Sequence, residues 1–357
     1  MSKFLLVTLL LHIPLYVYPI LRLCYWAELP FWLTLLIFTP LVSSQYVSRF
    51  YLRKKNSVWT KLLRRFADFY LGVSSVLLIA TLLAEIFVGF DMVTSGIAVT
   101  SVIAITVTLG IVATMAALLP MVKTITLSSG KLTAPVRFVQ ITDVHIGSRK
   151  PAFLDRVVHI VNELKPDFLC ITGDLIDGQG VSDDDLKSFK SVVGPIYFTI
   201  GNHEKYEGVQ AIARRLENLG VTVLRNAETH FTKELQVIGI DDMDDANQVA
   251  VQLEKQTLDL DAFVLLLYHR PRGLKAAAEA GVDLMLSGHT HNGQIMPFNL
   301  VVNRVFDMVK GLYEHAETKL YVSQGTGTWG PIMRLGTRSE ITLFEISPAQ
   351  ESLFPSG

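Results

Sequence analysis

Before Lys123 the chain carries four apolar stretches near bilayer-spanning length: Phe4 to Leu21, Phe31 to Val47, Phe66 to Phe90 and Gly96 to Val122. A hydrocarbon core about 30 Å thick takes about 20 helical residues to cross, so the last two stretches span comfortably. Pro14, Pro19, Pro30 and Pro40 fall in or beside the first two, which leaves a hairpin or an interfacial segment open for one of them. A cleaved signal peptide fits the first stretch poorly. It has no strong basic start and no A-x-A-like site, and further spans follow. The expectation is a helical membrane region of about four helices. It accounts for a mean hydropathy of +0.37 and a charged fraction of only 18%, both unusual for a soluble enzyme.

Basic residues set the topology. Arg49, Arg53, Lys54, Lys55, Lys61, Arg64 and Arg65 cluster between the second and third stretches, whereas the other connections carry little beyond Arg22, Glu28 and Asp91. The positive-inside rule places the basic connection in the cytoplasm, and four crossings bring the C-terminal region to that side. Lys123 and Lys131 agree. The expected location is the plasma (inner) membrane, multi-pass, with the C-terminal domain cytoplasmic. Asp68, near Arg64 and Arg65, is expected at the interface. Glu85 lies within an apolar stretch, where ionisable groups are costly, yet about one turn from its end, so an interfacial position is preferred to an ion path. His12 has no partner evident in the sequence.

The remainder of the chain reads differently. Short β-prone runs, Val136 to Ile141, Phe168 to Thr172, Ile196 to Ile200, Ala262 to Tyr268 and Val282 to Leu286, alternate for the most part with helical stretches such as Ala152 to Leu164 and Val209 to Leu219. Alternation of this kind argues for an α/β sheet. Each run ends on a cluster of ligand-type residues: Asp143-Val144-His145, Gly173-Asp174, Gly201-Asn202-His203-Glu204, His269, and Gly288-His289-Thr290-His291. Strand ends are where such folds present residues to a crevice. Asp143 and His145, two apart, would share one side of an extended segment. Gly173 would permit a tight turn and keep bulk away from the ions. Two Asp, an Asn and several His are the donors that paired divalent ions take.

This order, DxH, GD, GNH[DE], H, GHxH, resembles the calcineurin-like metallophosphoesterase superfamily from Val136 to the C-terminus. The flanks Leu286 to Gln294 and Tyr321 to Gly330 are similar to a membrane-associated bacterial branch, with Asn292 where glycine is more usual. The resemblance implies a β-sandwich flanked by helices (αββα) and a dinuclear centre. Asp143, His145 and His291 would hold one metal and Asn202, His269 and His289 the other, with Asp174 bridging. His203 would contact the substrate phosphate and protonate the leaving group as the catalytic residue.

Other polar residues have plainer readings. His159, His230 and His315 read as surface or satisfied histidines, and isolation would set His269 with them but for its place after an apolar strand. Asp177 is balanced between orienting a ligand and capping a loop. Glu204 is at most a support behind the ligands. Asp241-Asp242-Met243-Asp244-Asp245 lacks the glycine and distal glutamate of a calcium loop and reads as a solvated acidic turn. Arg334, in a family-like tail segment, could touch substrate phosphate but reads better as one half of a surface ion pair. Cys24 and Cys170 suggest no disulfide framework.

Two domains are therefore expected: a membrane anchor over 1–127 and a metallophosphoesterase domain over 128–357, joined at Leu127-Ser128-Ser129-Gly130-Lys131. Two metals about 3.5–4 Å apart can share a hydroxide and polarise phosphoryl oxygens. The function expected is a membrane-anchored, metal-dependent phosphoric ester hydrolase acting on a phosphodiester or pyrophosphate, lipid-linked because the site is tethered. The mixed oxygen and imidazole donors suit two divalent ions, manganese first, with iron or zinc as alternatives. Membrane lipids and a phosphoester substrate are the partners implied. Nucleic acid is not expected from a net charge of -1, and oligomeric state is open. A phosphodiesterase of soluble nucleotides and a non-catalytic metal-binding sensor or scaffold are the alternatives.

Overall fold

The computed structural model describes residues 10–52, 57–178 and 180–349. They form two compact units: one of Met1–Ala116 with Ile295–Pro297 and Gly330–Leu335, the other of Ala117–Gln294, Phe298–Trp329 and Gly336–Gly357.

The first unit is helical. Its long helices are α2 (Phe31–Tyr46), α3 (Val58–Gly89) and α4 (Ser95–Leu118), preceded by α1 (Tyr18–Trp26). Among the described residues three helices are long and apolar enough to cross a membrane: Phe31–Tyr51, Val58–Gly89 and Ser95–Leu118. That is one fewer than the four expected. The first apolar stretch lies partly outside the described residues. Its described part is a π-type turn over Ile13–Val17 followed by α1, with Pro14 and Pro19 interrupting the donor series. Tyr16, Ile20, Cys24 and Trp26 there pack with Tyr70, Val73 and Leu77 of α3. Gly110 of α4 faces Val73 and Phe69, and a Cβ there would sit 3.0 Å from Val73, so the glycine lets two helices approach closely.

Isolated polar residues here have partners. The Glu85 carboxylate accepts from Tyr18 Oη at 2.8 Å and Arg22 Nη2 at 2.7 Å, so it has intramolecular partners that the sequence did not announce. His12 stacks on Tyr16 at 4.7 Å between ring centroids, and Asp68 faces Arg49 at 3.4 Å. Arg334, expected at the surface, is buried in this unit, with its backbone N–H donating to the Ala113 carbonyl at 2.8 Å.

The second unit is an α/β sandwich. One six-stranded sheet has the order β1-β12-β2-β3-β4-β5 and the other β10-β11-β9-β8-β7-β6. In the first, β1 is Met121–Ser129, β2 Val136–Ile141, β3 Phe168–Thr172, β4 Ile196–Thr199, β5 Val221–Val223 and β12 Glu340–Pro348; in the second, β6 is Ala227–Thr232, β7 Leu235–Ile240, β8 Phe263–Tyr268, β9 Leu284–Ser287, β10 Gly311–His315 and β11 Thr318–Val322. Neighbours β2, β3, β4 and β5 run parallel, as do β7, β8, β9 and β11. Both faces of such strands are covered, which is why they read as unbroken apolar runs instead of alternating ones.

Phe138, Phe168, Leu265, Leu267, Leu286, Tyr321 and Phe344 fill the space between the sheets, with Phe138 stacked on Phe168 at 4.8 Å and on Phe344 at 4.9 Å. Truncating one such ring would cost about 3–5 kcal/mol. Outside the first sheet lies α5 (Pro151–Glu163), which buries Phe153, Leu154, Val157, Val158 and Val161 at helical spacing. Its Pro151 sits where a missing N–H costs no bond. Outside the second lie α8 (Gln248–Leu253) and α9 (Leu274–Ala280), packed through Val249, Leu253, Leu274 and Ala277. Two smaller helices, α6 (Asn202–Glu207) and α7 (Val209–Asn218), follow β4.

The helical unit gives way at Ala116, earlier than 127. Residues 121–129 form β1, paired with β12 from Met121↔Glu340 to Ser129↔Pro348, so Leu127-Ser128-Ser129 is strand and not linker. That pairing joins segments more than 200 residues apart in sequence, and no local signal announces it.

Candidate metal centre

Strand ends deliver the ligand-type residues to one place. Asp143 and His145 follow β2, Asp174 follows β3, Asn202 and His203 open α6 after β4, His269 follows β8, and His289 and His291 follow β9. Donor atoms of Asp143, His145 and His291 lie within 4.8 Å of one another. The same holds for His145, Asp174 and His203, and for Asp174, His269 and His289. Shared members make these groups one cluster. Its middle group takes in His203, which the resemblance keeps apart from the ligands.

The backbone there is not extended. Asp143, His145, Asp174, His289 and His291 have φ of 53°, 57°, 51°, 71° and 49°. Left-handed backbone at non-glycine residues costs about 1–3 kcal/mol each and collects at functional sites. The strand-parity argument for Asp143 and His145 therefore fails, and curled turns bring both to the site instead. Gly173, at φ +85°, is required: a Cβ would lie 2.7 Å from Gly201 Cα and 2.8 Å from His269 Nδ1. Asn292 has φ 50° and ψ 34°, a region asparagine tolerates almost as glycine does, and its Nδ2 donates to Gln324 Oε1 at 3.0 Å.

Hydrogen bonds aim the rings. His269 Nδ1 lies 2.8 Å from the Thr172 carbonyl, so that nitrogen carries the proton and Nε2 faces Asp174 Oδ2 at 3.1 Å. His145 Nδ1 lies 3.2 Å from Asp177 Oδ2, leaving Nε2 toward His291 Nε2 at 3.1 Å. Asp177 thus sits in ionic contact with the His145 ring, and Ser148 N–H and Oγ donate to its two oxygens at 2.8 and 2.7 Å. Asp143 Oδ2 accepts from Thr142 Oγ1 at 2.8 Å and His289 N at 3.0 Å. His203 N–H donates to Asp174 Oδ1 at 2.8 Å, and its ring meets His145 edge-on at 4.7 Å.

Glu204 does more than the sequence indicated. Its buried carboxylate accepts from four backbone donors, Asp174 N at 3.0 Å, Gly201 N at 2.8 Å, Leu175 N at 2.8 Å and Ile176 N at 3.0 Å. One side chain therefore fixes the Gly173-Asp174 turn against the Gly201-Asn202 turn. Burial, then the Asp174 charge, pushes its pKa up to about 7. The acidic turn also departs from expectation. Asp242 is fully buried, with Arg270 Nε at 2.7 Å, and Asp244 takes Arg270 and Arg272 at 2.9 and 3.1 Å. The turn locks the residue after His269.

Electrostatics test the fit to cations. Burial works against the charged forms of Asp143 and Asp174, yet the surrounding histidines hold both carboxyls below their usual range. Burial also works against protonated His269, but the nearby carboxylates raise it to about 10, whereas burial and the His269 charge depress His289 to about 3. Two carboxylates held ionised in an interior by neighbouring imidazolium charge form a site where divalent cations can supply that charge instead. Among the described residues no hydrogen bond satisfies the buried acceptor Asn202 Oδ1, and Asp143 Oδ1 faces the His291 ring, Nε2 at 3.3 Å. A pair of divalent ions would supply the charge and engage these oxygens, so the residues present fit the metals that the motif implies.

The fold and this cluster define a class, a two-sheet sandwich with a candidate metal centre at its strand ends. Residues 136–293 match the family described as calcineurin-like phosphoesterase. A metallophosphoesterase of Aquifex aeolicus is 31% identical over 238 residues, covering 63% of this chain and 91% of that protein. One from Campylobacter jejuni is 35% identical over 243 residues, 64% of this chain and 63% of that protein. A transmembrane protein with metallophosphoesterase domain from Danio rerio is 33% identical over 251 residues, 64% of this chain and 57% of that protein. The chain belongs to the calcineurin-like metallophosphoesterase family. It spans less than two thirds of the length of the Campylobacter and Helicobacter relatives it matches, 63% and 65%.

Proposed function

We propose that this chain is a membrane-embedded, dinuclear metal-dependent phosphoesterase that hydrolyses a phosphodiester or pyrophosphate bond in a lipid-linked substrate. The observation that carries the reading is the set of three interlocking His/Asp groups. Asp143, His145 and His291 would hold one ion and Asn202, His269 and His289 the other, with Asp174 shared. When bound, such ions supply Lewis acidity and bring the pKa of water toward neutrality, to about 7.

The protein's own residues do the rest. Asp177 and the Thr172 carbonyl fix ring orientation, and Glu204 fixes two ligand-bearing turns. His203 stands at the rim, and burial lowers its pKa. A bound phosphate would oppose that shift by favouring the charged imidazolium. His203 is then placed to give its Nε2 proton to the departing oxygen, a role worth about 10²–10⁴ in rate. Manganese is the ion to test first, ahead of iron and zinc.

Orientation follows from the basic connection before α3. Two crossings, α3 and α4, separate it from β1, so the catalytic unit returns to the cytoplasmic face whether or not the first apolar stretch crosses. A site held at that face suits a phosphate at headgroup level. Cleavage of a chromogenic phosphodiester with manganese tests the chemistry. Wild type should turn over, Asp174→Ala should fall to background, and His203→Ala should fall by about 10²–10⁴. Activity retained in both variants contradicts the reading. A panel of lipid phosphates offered to the reconstituted chain then tests the substrate class.

A further inference from the structure

Helix α10 (Phe298–Val305) belongs to the sandwich unit yet buries none of its residues. Phe298, Leu300, Val301 and Val305 are 51% to 63% exposed. Phe298, Val301 and Val305 recur at i, i+3 and i+7, so they line one face. An apolar stripe that none of the described residues covers needs another cover. Trp329, 57% exposed, lies at the same edge. Gln294, four residues before α10, holds the Trp329 backbone at both ends, Trp329 N–H donating to Oε1 at 2.9 Å and Nε2 donating to the Trp329 carbonyl at 3.1 Å.

Chain connectivity identifies the cover. The chain passes directly from Pro297 of the helical unit into Phe298, and directly from Trp329 into Gly330 of the helical unit. Within that unit these short segments meet α3 and α4. Ser75 Oγ donates to the Met296 carbonyl at 3.1 Å, Gly72 faces Met333, and Arg334 N–H donates to the Ala113 carbonyl at 2.8 Å. Counting about 20 residues back from Gly89 puts the membrane boundary of α3 near Tyr70, so Gly72 and Ser75 fall just inside it. Ala113 lies within about two turns of the end of α4 at Leu118. All three contacts sit at the end of the spans nearest the basic connection. Non-helical backbone is tolerated at that depth where protein surrounds it.

We propose that α10 and Trp329 form a lipid-inserting edge, with the Phe298–Val301–Val305 face and the indole entering the headgroup–acyl boundary of the leaflet beside the catalytic unit. An aromatic ring at that level and a short amphipathic helix lying flat are what the boundary accommodates. The edge is built onto the metal centre. Gly293, two residues after His291, packs against the backbone of Asn299, and Phe306 meets His289 edge-on at 5.4 Å. A phosphate that is part of a lipid would then reach the histidines without leaving the leaflet. This rests on the membrane-embedded reading above.

The test uses the full chain reconstituted in phosphatidylethanolamine/phosphatidylglycerol vesicles with acyl chains brominated near the headgroup. Replacing Trp26, Trp32 and Trp59 by Phe leaves Trp329 as the sole tryptophan. A parallel variant keeps Trp32, an exposed residue of α2, as a report on anchoring alone. The expected result is blue-shifted Trp329 emission, reduced about twofold by the brominated lipid and insensitive to aqueous iodide, as for a ring about 5–10 Å deep. Quenching of Trp32 by lipid with Trp329 reached by iodide overturns the inference and leaves the anchoring intact. Trp329 reached by neither quencher means that a second copy or another protein covers the edge, which also overturns it. Trp32 untouched by lipid overturns the anchoring reading and the inference with it. Val301→Trp in a background lacking all four native tryptophans repeats the measurement on the helix face and should give the same reduction.

Discussion

The two units break the usual rule of burial in opposite directions. The helical unit exposes large apolar side chains, among them Leu82, Leu83, Ile86, Ile103 and Ile111. The sandwich unit buries charge: Asp143, Asp174, Glu204 and Asp242 are all nearly inaccessible. Exposed leucine and buried aspartate are both unfavourable in water, and each departure points to something outside the polypeptide. For the helices we propose lipid, and for the carboxylates divalent metal. The contrast also separates kinds of buried charge, since Glu204 and Asp242 are satisfied by backbone and arginine donors whereas Asp143 Oδ1 faces the His291 ring, at 3.3 Å.

Substitutions can break that contrast. Glu204→Gln would turn an amide NH2 against two of the four backbone donors whichever way it lay. A loss of about 1–3 kcal/mol is expected for the unsatisfied pairs, read as a lower chemical-denaturation midpoint of the sandwich unit, with weaker metal binding alongside. Unchanged stability would mean that the carboxylate is not the link between the two turns. Asp177→Asn keeps the shape but weakens the hold on His145 Nδ1, and metal affinity or turnover should fall by about 10–100-fold while stability barely moves. The smallest effect belongs to the helical unit. A double-mutant cycle on Arg22 and Glu85 in lipid nanodiscs should give a coupling of about 1 kcal/mol or less, because both side chains are partly exposed. A much larger coupling would mean that the pair is sealed from solvent, and the contrast between the units would narrow.

How much of this was legible beforehand depends on where each interaction is encoded. The cluster was readable because ligand chemistry resides in residue type: an Asp-x-His or a Gly-His-x-His after an apolar run names its own donors. The strands behind those clusters were readable for the same reason, as continuous apolar runs covered on both faces. Glu204 was underrated because its partners are backbone N–H groups, which every residue has and no motif marks. Asp242 was misread because its partner Arg270 is 28 positions away, and Arg334 because its burial depends on the helical unit. The pairing of β1 with β12 was hidden by Ser128-Ser129-Gly130, which reads locally as a linker. The left-handed turns at Asp143 and His145 were missed because parity along a strand was extended two residues beyond its end. The exposed stripe of α10 was absent from the reading altogether, since five apolar residues among eight inside a globular domain look like core until the fold shows them uncovered.

The central claim is that the buried carboxylates of the sandwich unit hold two metal ions, which make it a phosphoesterase. Titrating manganese into the chelator-stripped full chain, with turnover of a chromogenic phosphodiester followed at each addition, tests it directly. The account predicts no turnover without metal, and activity that rises to saturation as two ions bind per chain. Turnover that survives complete chelation, or two ions bound with no turnover of any phosphoester offered, would contradict it.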